Sequence, residues 1–171
     1  MAATTSGADA SADTGAAGPG EPVWLDDDQQ RTWRALASVL QLLPAALDRQ
    51  LQDEAGVTHT YYMILAMLSE APERSLRMAQ LARMVNASQS RLTHAVNRLE
   101  ERGWVQRNRS SDDKRGQVAR LTEDGWDVLV SIAPGHVDEV RRRVFEPLTC
   151  EQAQELGAIL RTIADHLACD R

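Results

Sequence analysis

Residues 88–103 read SQSRLTHAVNRLEERG, a stretch with the features of one complete amphipathic helix. Ser88 is a good amino-terminal cap, and Gly103 is a residue that commonly ends helices. We predict a helix over Gln89–Arg102 with one buried side and one side open to a partner. The apolar residues at the helical period, which define the buried side, are Leu92, Val96 and Leu99.

The neighbouring stretches extend this helix into a recognisable motif. A short helix is predicted over Met78–Val85, followed by a turn at Asn86-Ala87. Two short strands are predicted over Trp104–Arg109 and Gln117–Leu121, on either side of a polar turn. Helix, turn, helix and β-hairpin in this order is the winged helix-turn-helix arrangement.

The outer parts of the chain predict a mainly α fold with this one small β-hairpin. Residues 1–22 are almost all small or polar, which predicts a disordered tail. Apolar residues at helical spacing predict a helix in residues 23–57, with a kink or short break at Pro44, and two more in residues 123–171, with a kink at Pro134-Gly135. Thr149 and Gln152 predict a capping box at the start of the last helix. We assign both segments to dimerisation, leaving residues 58–122 as the winged domain. An additional intramolecular core would produce the same pattern.

The charge of the chain is unevenly distributed. The net charge of the 171 residues is −6. Between Pro72 and Arg120, however, eleven basic and five acidic residues give +6, which leaves −12 for the rest. A basic module on an acidic body is typical of a protein that binds double-stranded DNA, because phosphate contacts supply much of the affinity. Chance clustering of arginines on a solvated surface is the alternative.

The open side of the predicted helix carries hydrogen-bonding groups. We expect hydroxyl groups to contact phosphates and the longer side chains to reach base edges, with Arg98 on a flank. Glu100 and Glu101 lie at the carboxyl end, which we expect to sit away from the phosphates. An ordinary solvated helix face is the alternative. The phosphate candidates are Ser88, Ser90 and Thr93, and the base-edge candidates are Gln89, Arg91, His94 and Asn97.

The turn between the two strands contains a second candidate contact. Asp113 and Arg115 are two residues apart, so the carboxylate could hold the guanidinium extended. An arginine held in this way can enter the narrow minor groove of A·T-rich DNA. A surface ion pair of little energetic weight is the alternative.

Together these motifs resemble one family. Ser88-x-Ser90-x-x-Thr93, Leu99-Glu100-x-x-Gly103, Asp113-x-Arg115 and Leu121-Thr122-x-x-Gly125 are similar in order and spacing to the MarR family of bacterial transcriptional regulators. The resemblance covers roughly residues 58–125. It implies a homodimeric regulator, usually a repressor, that binds a pseudo-palindromic operator. The recognition helix would read the major groove, and Arg115 would reach the minor groove.

The resemblance also draws attention to the residue after Thr93 and to a candidate ligand pocket. Family members often carry arginine directly after the threonine of the recognition helix, whereas this sequence has His94. They also often bind a small, frequently aromatic anion between the dimer helices and the winged domain. Ordinary core packing is the alternative for each candidate pocket residue. These candidates are Trp33, His59, Tyr62 and Met63.

Other functional classes have weaker support in the sequence. The chain contains no Gly-rich phosphate loop, G-x-S-x-G, H-E-x-x-H or C-x-x-C motif, so an enzyme is not expected, nor is a cofactor. His166-x-x-Cys169 offers too few ligands for a zinc site. A thiol-based redox regulator using Cys150 or Cys169 and a winged-helix module that binds only proteins are the alternatives to a DNA-binding regulator. Without a long apolar run or a secretory signal, we expect a cytoplasmic protein with no membrane partner.

Overall fold

The computed structural model of the chain describes residues 22–109 and 117–169, which are mostly helical. Two compact units meet in sequence between Ser38 and Val39. The first unit contributes the start of α1, and the second contains all the other elements. In chain order the elements are α1 (Asp27–Ala55), α2 (His59–Glu70), a 3₁₀ turn (Pro72–Arg74), β1 (Ser75–Arg77), α3 (Met78–Met84), α4 (Gln89–Glu101), β2 (Val105–Arg109), β3 (Gln117–Leu121), α5 (Glu123–Val140), a π-turn (Arg141–Phe145) and α6 (Cys150–Cys169).

The winged helix-turn-helix order predicted from the sequence is confirmed. The helix that the motif is built around spans Gln89–Glu101, one residue shorter than predicted, and Gly103 follows it with φ +76°. Helices α1 and α5 continue through Pro44 and Pro134, so no break occurs at either proline. Residues 1–21 of the predicted tail and the hairpin tip at 110–116 lie outside the described residues.

Side-chain caps explain where several helices begin. Thr58 accepts a hydrogen bond from the backbone N–H of Tyr61 at the start of α2. The predicted capping box of α6 is present: Gln152 N–H donates to Thr149 Oγ1, and Thr149 N–H donates to Gln152 Oε1. These bonds satisfy backbone donors that a helix end leaves unpaired.

The winged domain contains a three-stranded antiparallel sheet with the order β1-β3-β2. The sheet pairs β1, which precedes α3, with the hairpin of β2 and β3, which follows α4. The sequence analysis missed β1, because three residues are too few to show a strand period. Leu76 of β1 pairs with Ala119 of β3, and Arg107 of β2 pairs with the same residue from the other side. The central strand is therefore β3, and β2 is an outer strand.

The hydrophobic core of the second unit lies beneath α4 and the sheet. Its members come from the end of α1, from α2, α3, α4 and α5, and from all three strands. Helix α4 therefore packs on a core to which all the other elements named here contribute. The fully buried side chains of largest volume are Leu51, Val57, Ile64, Leu65, Leu68, Leu81, Leu92, Val96 and Leu99.

The π-turn between α5 and α6 is anchored by a buried carboxylate. Glu139 is 5% exposed and accepts hydrogen bonds from Arg142 and from Arg143, the latter at 2.7 Å. Those hydrogen bonds, Arg143 first, hold the pKa of Glu139 below its usual value. The buried carboxylate of Glu139 is therefore paired with two guanidinium groups, and a buried charge without such partners would be costly.

The last helix is mostly exposed, with only Ala153, Leu156 and Gly157 partly buried. Within the part of the chain that the structure describes, no residue of α6 is buried. No described helix is long and apolar enough to cross a membrane. The large apolar side chains that α6 leaves exposed are Ile159, Leu160, Ile163 and Leu167.

Candidate nucleic-acid interface

The helix-turn-helix is formed by α3, a tight turn and α4. Asn86 in the turn has φ +50°, a left-handed conformation that asparagine tolerates better than most residues. Ser88 then caps α4, since its Oγ accepts a hydrogen bond from the backbone N–H of Arg91 at 3.3 Å. Leu92 and Leu99 are buried beneath the helix. The opposite face of the amino-terminal half of α4 is consequently exposed, as predicted.

The exposed positions on this half of α4 match the sequence expectation. Thr93 Oγ1 donates to the carbonyl of Gln89 at 2.8 Å, so its hydroxyl hydrogen is already used within the helix. The Oγ atoms of Ser88 and Ser90 lie 3.4 Å apart. The exposed face of this half of α4 can therefore offer hydroxyl, amide, imidazole and guanidinium groups to one partner. The exposed residues are Ser88, Gln89, Ser90, Arg91, Thr93 and His94.

Asn97 and Arg98 differ from this pattern. Asn97, placed opposite the buried side by helical periodicity, is half-buried, and its Oδ1 is buried with no hydrogen-bond partner among the described residues. Arg98 is exposed, but its Nη1 donates to Glu101 at 2.8 Å, which raises the pKa of the guanidinium. Periodicity describes an isolated helix, whereas α4 packs against other elements, β2 among them.

Four arginines near the interface, Arg74, Arg98, Arg102 and Arg107, are paired with acids or lie over aromatic rings. The guanidinium of Arg102 lies 4.9 Å from the ring centroid of Trp104, and that of Arg74 lies 4.3 Å from the ring of Trp126. The total of basic residues therefore overstates the charge available to a polyanion. The ion pairs are Arg74–Glu123 at 3.1 Å, Arg98–Glu101 at 2.8 Å and Arg107–Glu100 at 2.5 Å.

The wing is anchored at its base. Thr122 Oγ1 donates to the carbonyl of Gly103 at 2.7 Å and accepts from the N–H of Gly125 at 3.0 Å. One side chain thus joins the end of the recognition helix to the start of α5. Asp113 and Arg115, the predicted minor-groove contact, lie outside the described residues, so their role stays a prediction.

A separate cluster of aromatic and imidazole rings involves two of the four pocket candidates. The ring centroids of Tyr62 and His136 lie 4.1 Å apart, and those of His59 and His136 lie 5.7 Å apart. His136 is 7% exposed, and its Nδ1 has no hydrogen-bond partner among the described residues. His136 follows Leu129 by two helical turns, so its position on the buried face of α5 was readable from the spacing, but the sequence analysis did not select it.

Burial shifts the protonation of this cluster. Desolvation lowers the pKa of His136, and the nearby His59 lowers it further. Desolvation also lowers the pKa of His59, against the opposing effect of Asp48, whose Oδ1 accepts from the His59 backbone N–H at 2.8 Å. Burial and the charge of Glu70 raise the pKa of Tyr62. The three rings are therefore held in their neutral forms.

The remaining candidates are more exposed. Met63 is half-buried against the core, and Trp33, in the first unit, is 53% exposed. Cys150 and Cys169 are exposed thiols at the two ends of α6. Among the described residues, no group of three or more histidine, cysteine, aspartate or glutamate side chains could hold a metal ion.

An exposed polar helix presented by a helix-turn-helix, beside a hairpin held at its base, defines a winged helix-turn-helix protein. Comparison with known proteins then identifies the family. A MarR family sequence model matches residues 55–116. The chain is 26% identical over 112 residues to the transcriptional repressor MprA of Escherichia coli, covering 66% of this chain and 63% of MprA. It therefore spans less than two thirds of the length of MprA.

Other relatives match over more of their length. The chain is 23% identical over 147 residues to the HTH-type transcriptional regulator PecS of Dickeya dadantii, covering 86% of this chain and 88% of PecS. A crystal structure of Sco3205, a MarR family transcriptional regulator from Streptomyces coelicolor, in complex with DNA, has a TM-score of 0.81 and 50% identity, covering 86% of this chain and 92% of that one. AbsC from the same organism has a TM-score of 0.80 and 39% identity, covering 86% and 99%. The chain belongs to the MarR family of transcriptional regulators.

Proposed function

We propose that two copies of this chain bind a pseudo-palindromic DNA operator and repress transcription from it. The observation that carries the proposal is the exposed polar face on the amino-terminal half of α4. One such helix reads only a few base pairs, so two copies are needed for useful specificity. The DNA complex of the similar protein Sco3205 supports the same partner. A regulator of bacterial DNA acts in the cytoplasm, where the chromosome lies.

In this proposal α4 enters the major groove by its amino end. Arg91 and His94 reach base edges, and exposed hydroxyls contact phosphates. Thr93 contributes less as a donor, because its hydroxyl hydrogen already bonds to Gln89. Asn97 offers only its amide nitrogen, because its Oδ1 is buried. The remaining contacts are Ser88, Gln89, Ser90, Arg98 and, from the wing, Asp113 and Arg115.

The second copy of the chain would cover the exposed apolar side of α6. Ile159, Leu160 and Ile163 recur at helical spacing and are each at least 41% exposed in the single chain. Apolar side chains in contiguous exposed positions mark protein interfaces. The same two-fold pairing would place two copies of α4 on one face of the DNA.

A small aromatic or anionic effector would release the protein from DNA. The support is the buried ring cluster, where Tyr62 and His59 present neutral polar rings around His136, whose Nδ1 has no hydrogen-bond partner among the described residues. A ligand with a hydrogen-bonding group would satisfy that nitrogen. Met63, which is half-buried against the core of the same unit, is a further candidate.

The test is selection of bound fragments from genomic DNA, followed by binding measured at increasing salt. We expect tight, sequence-specific binding that weakens steeply with salt, because each phosphate contact releases counterions. Arg91→Ala should weaken it roughly 5- to 150-fold. Arg49→Ala, which removes an exposed arginine of α1, is the matched control. Binding that is absent, or independent of salt, would instead favour the protein-interaction module.

A further inference from the structure

We infer that Glu100 is a positioning residue that fixes the wing relative to the recognition helix. Its carboxylate lies near the end of α4 and binds β2 twice. The backbone N–H of Arg107 donates to Glu100 Oε1 at 2.8 Å, and Arg107 Nε donates to Oε2 at 2.5 Å. Each side chain of the pair is 27% exposed, so both bonds are largely shielded from water.

The backbone bond arises from the position of β2 in the sheet. Because the strand order is β1-β3-β2, one edge of β2 has no strand beside it among the described residues. N–H groups on such an edge need another acceptor. For Arg107 that acceptor is a side chain of the recognition helix. Glu100 thus takes the place of a neighbouring strand at a single position.

Hydrogen bonds at two places along the wing set its orientation relative to α4. The first is the base, where Trp104 N–H donates to the carbonyl of Leu99 at 3.0 Å and Thr122 holds the carbonyl of Gly103. The second is Arg107, about 10 Å farther along the chain at three residues of extended strand. Pairing of β1 with β3 holds the other side of the hairpin, as far as Val118. The Glu100 bonds tie the β2 side to α4, partway along the strand, and so restrict movement of β2 relative to that helix.

The consequence for DNA binding rests on the proposed function. A helix in the major groove and a wing in the adjacent minor groove must be held at a fixed separation to contact the duplex together. Glu100 fixes that separation from inside the protein and does not contact DNA. Its pairing also occupies Arg107, which leaves the phosphate contacts of the wing to residues nearer the tip.

The first measurement needs no DNA. Hydrogen exchange at the Arg107 amide, followed by NMR on the full chain, should be at least about tenfold faster in Glu100→Ala, because an unbonded edge amide is exposed to solvent. Glu100→Gln should restore part of the protection, since its amide oxygen can still accept from the backbone. Glu123→Gln is the matched control, because it removes another carboxylate that joins two elements through an arginine. Unchanged exchange in Glu100→Ala would overturn the inference.

The second measurement uses a genomic fragment bound by the wild-type protein. In Glu100→Ala we expect the minor-groove footprint of the wing to be lost while major-groove protection by α4 remains, with Glu100→Gln intermediate. Retention of the wing footprint, or equal loss of both footprints in a protein that is still folded by circular dichroism, would overturn the inference. If the wild-type protein gives no footprint on any fragment, the proposed function itself fails, whatever the exchange measurement shows.

Discussion

Gly125 lies so close to the carbonyl of Trp104 that a methyl group on its α-carbon would come within 2.1 Å of the oxygen. The contact brings the first turn of α5 onto the backbone at the base of the wing. Thr122, three residues earlier, caps the same turn. The motif Thr122-x-x-Gly125 therefore places a helix cap three residues before a glycine, whose lack of a side chain permits the close contact with the Trp104 carbonyl.

Gly125→Ala should destabilise the protein by about 1–3 kcal/mol, because the backbone must move to admit the methyl group. The measurement is urea unfolding at a fixed protein concentration. Gly157→Ala in α6 is the control: its methyl group would meet only the end of Arg161 at 3.4 Å. We expect that control to be stabilised by about 0.5–1 kcal/mol, the usual effect of alanine in a helix. Equal stability of both variants would contradict the close approach.

The imidazole cluster should make the protein less stable in mild acid. The pKa values of His59 and His136 are lowered from an ordinary 6.5 in the folded state, so the unfolded chain binds more protons below that pH. The free energy of unfolding should consequently fall as the pH drops from 6.5 through the lowered values. Thermal unfolding across this range measures it.

His136→Gln should flatten that pH dependence by removing the histidine between Tyr62 and His59. His94→Asn is the control, because His94 is exposed on α4 and outside the cluster. A pH profile that His136→Gln leaves unchanged would show that another group dominates the acid response.

Leu160→Glu should convert the proposed dimer into single chains. The substitution places a charge at the centre of the exposed apolar side of α6, and desolvating that charge in an interface would be costly. Sedimentation equilibrium gives the mass directly. Thr162→Glu adds the same charge on another side of the helix, where the Thr162 hydroxyl donates to the carbonyl of Ala158, and should leave the mass unchanged. A two-chain mass for Leu160→Glu would exclude this face of α6.

Arg115→Ala should weaken operator binding roughly 5- to 150-fold without altering dimerisation. The effect should be largest on sites whose flanks are A·T-rich, where the minor groove is narrow and most negative. Lys114→Ala removes the neighbouring positive charge and should have a smaller effect that does not depend on the flanks. Equal binding by Arg115→Ala and the wild-type chain would show that the wing reads DNA through a different residue.

Local signals in the sequence were sufficient for most of the fold. Capping residues such as Ser88 and Thr149 and the apolar period of α4 predicted helix positions that the structure confirms. Features that depend on packing between elements were not accessible. The three-residue strand β1 has no period, and the partial burial of Asn97 does not follow from the period of α4 alone.

The same limit applies to the site. The exposed face of α4 could be predicted from helical geometry, because it depends on one element. The bond between Glu100 and Arg107 could not, because residues seven apart meet only once the chain has reversed at Gly103. His136 needed the packing of α5 against α2 to bring it beside Tyr62.

The exposure of α6 has a consequence for the protein at low abundance. No described residue of this twenty-residue helix is buried within its own chain, so in the proposed dimer the helix would gain packing from its partner. Under the proposed pairing, dilution would lower the stability of the fold. The unfolding temperature would rise with the logarithm of the protein concentration. A cell that makes few copies would then hold less folded repressor than its synthesis rate implies, so the chain's own abundance would set a threshold for occupying its operator.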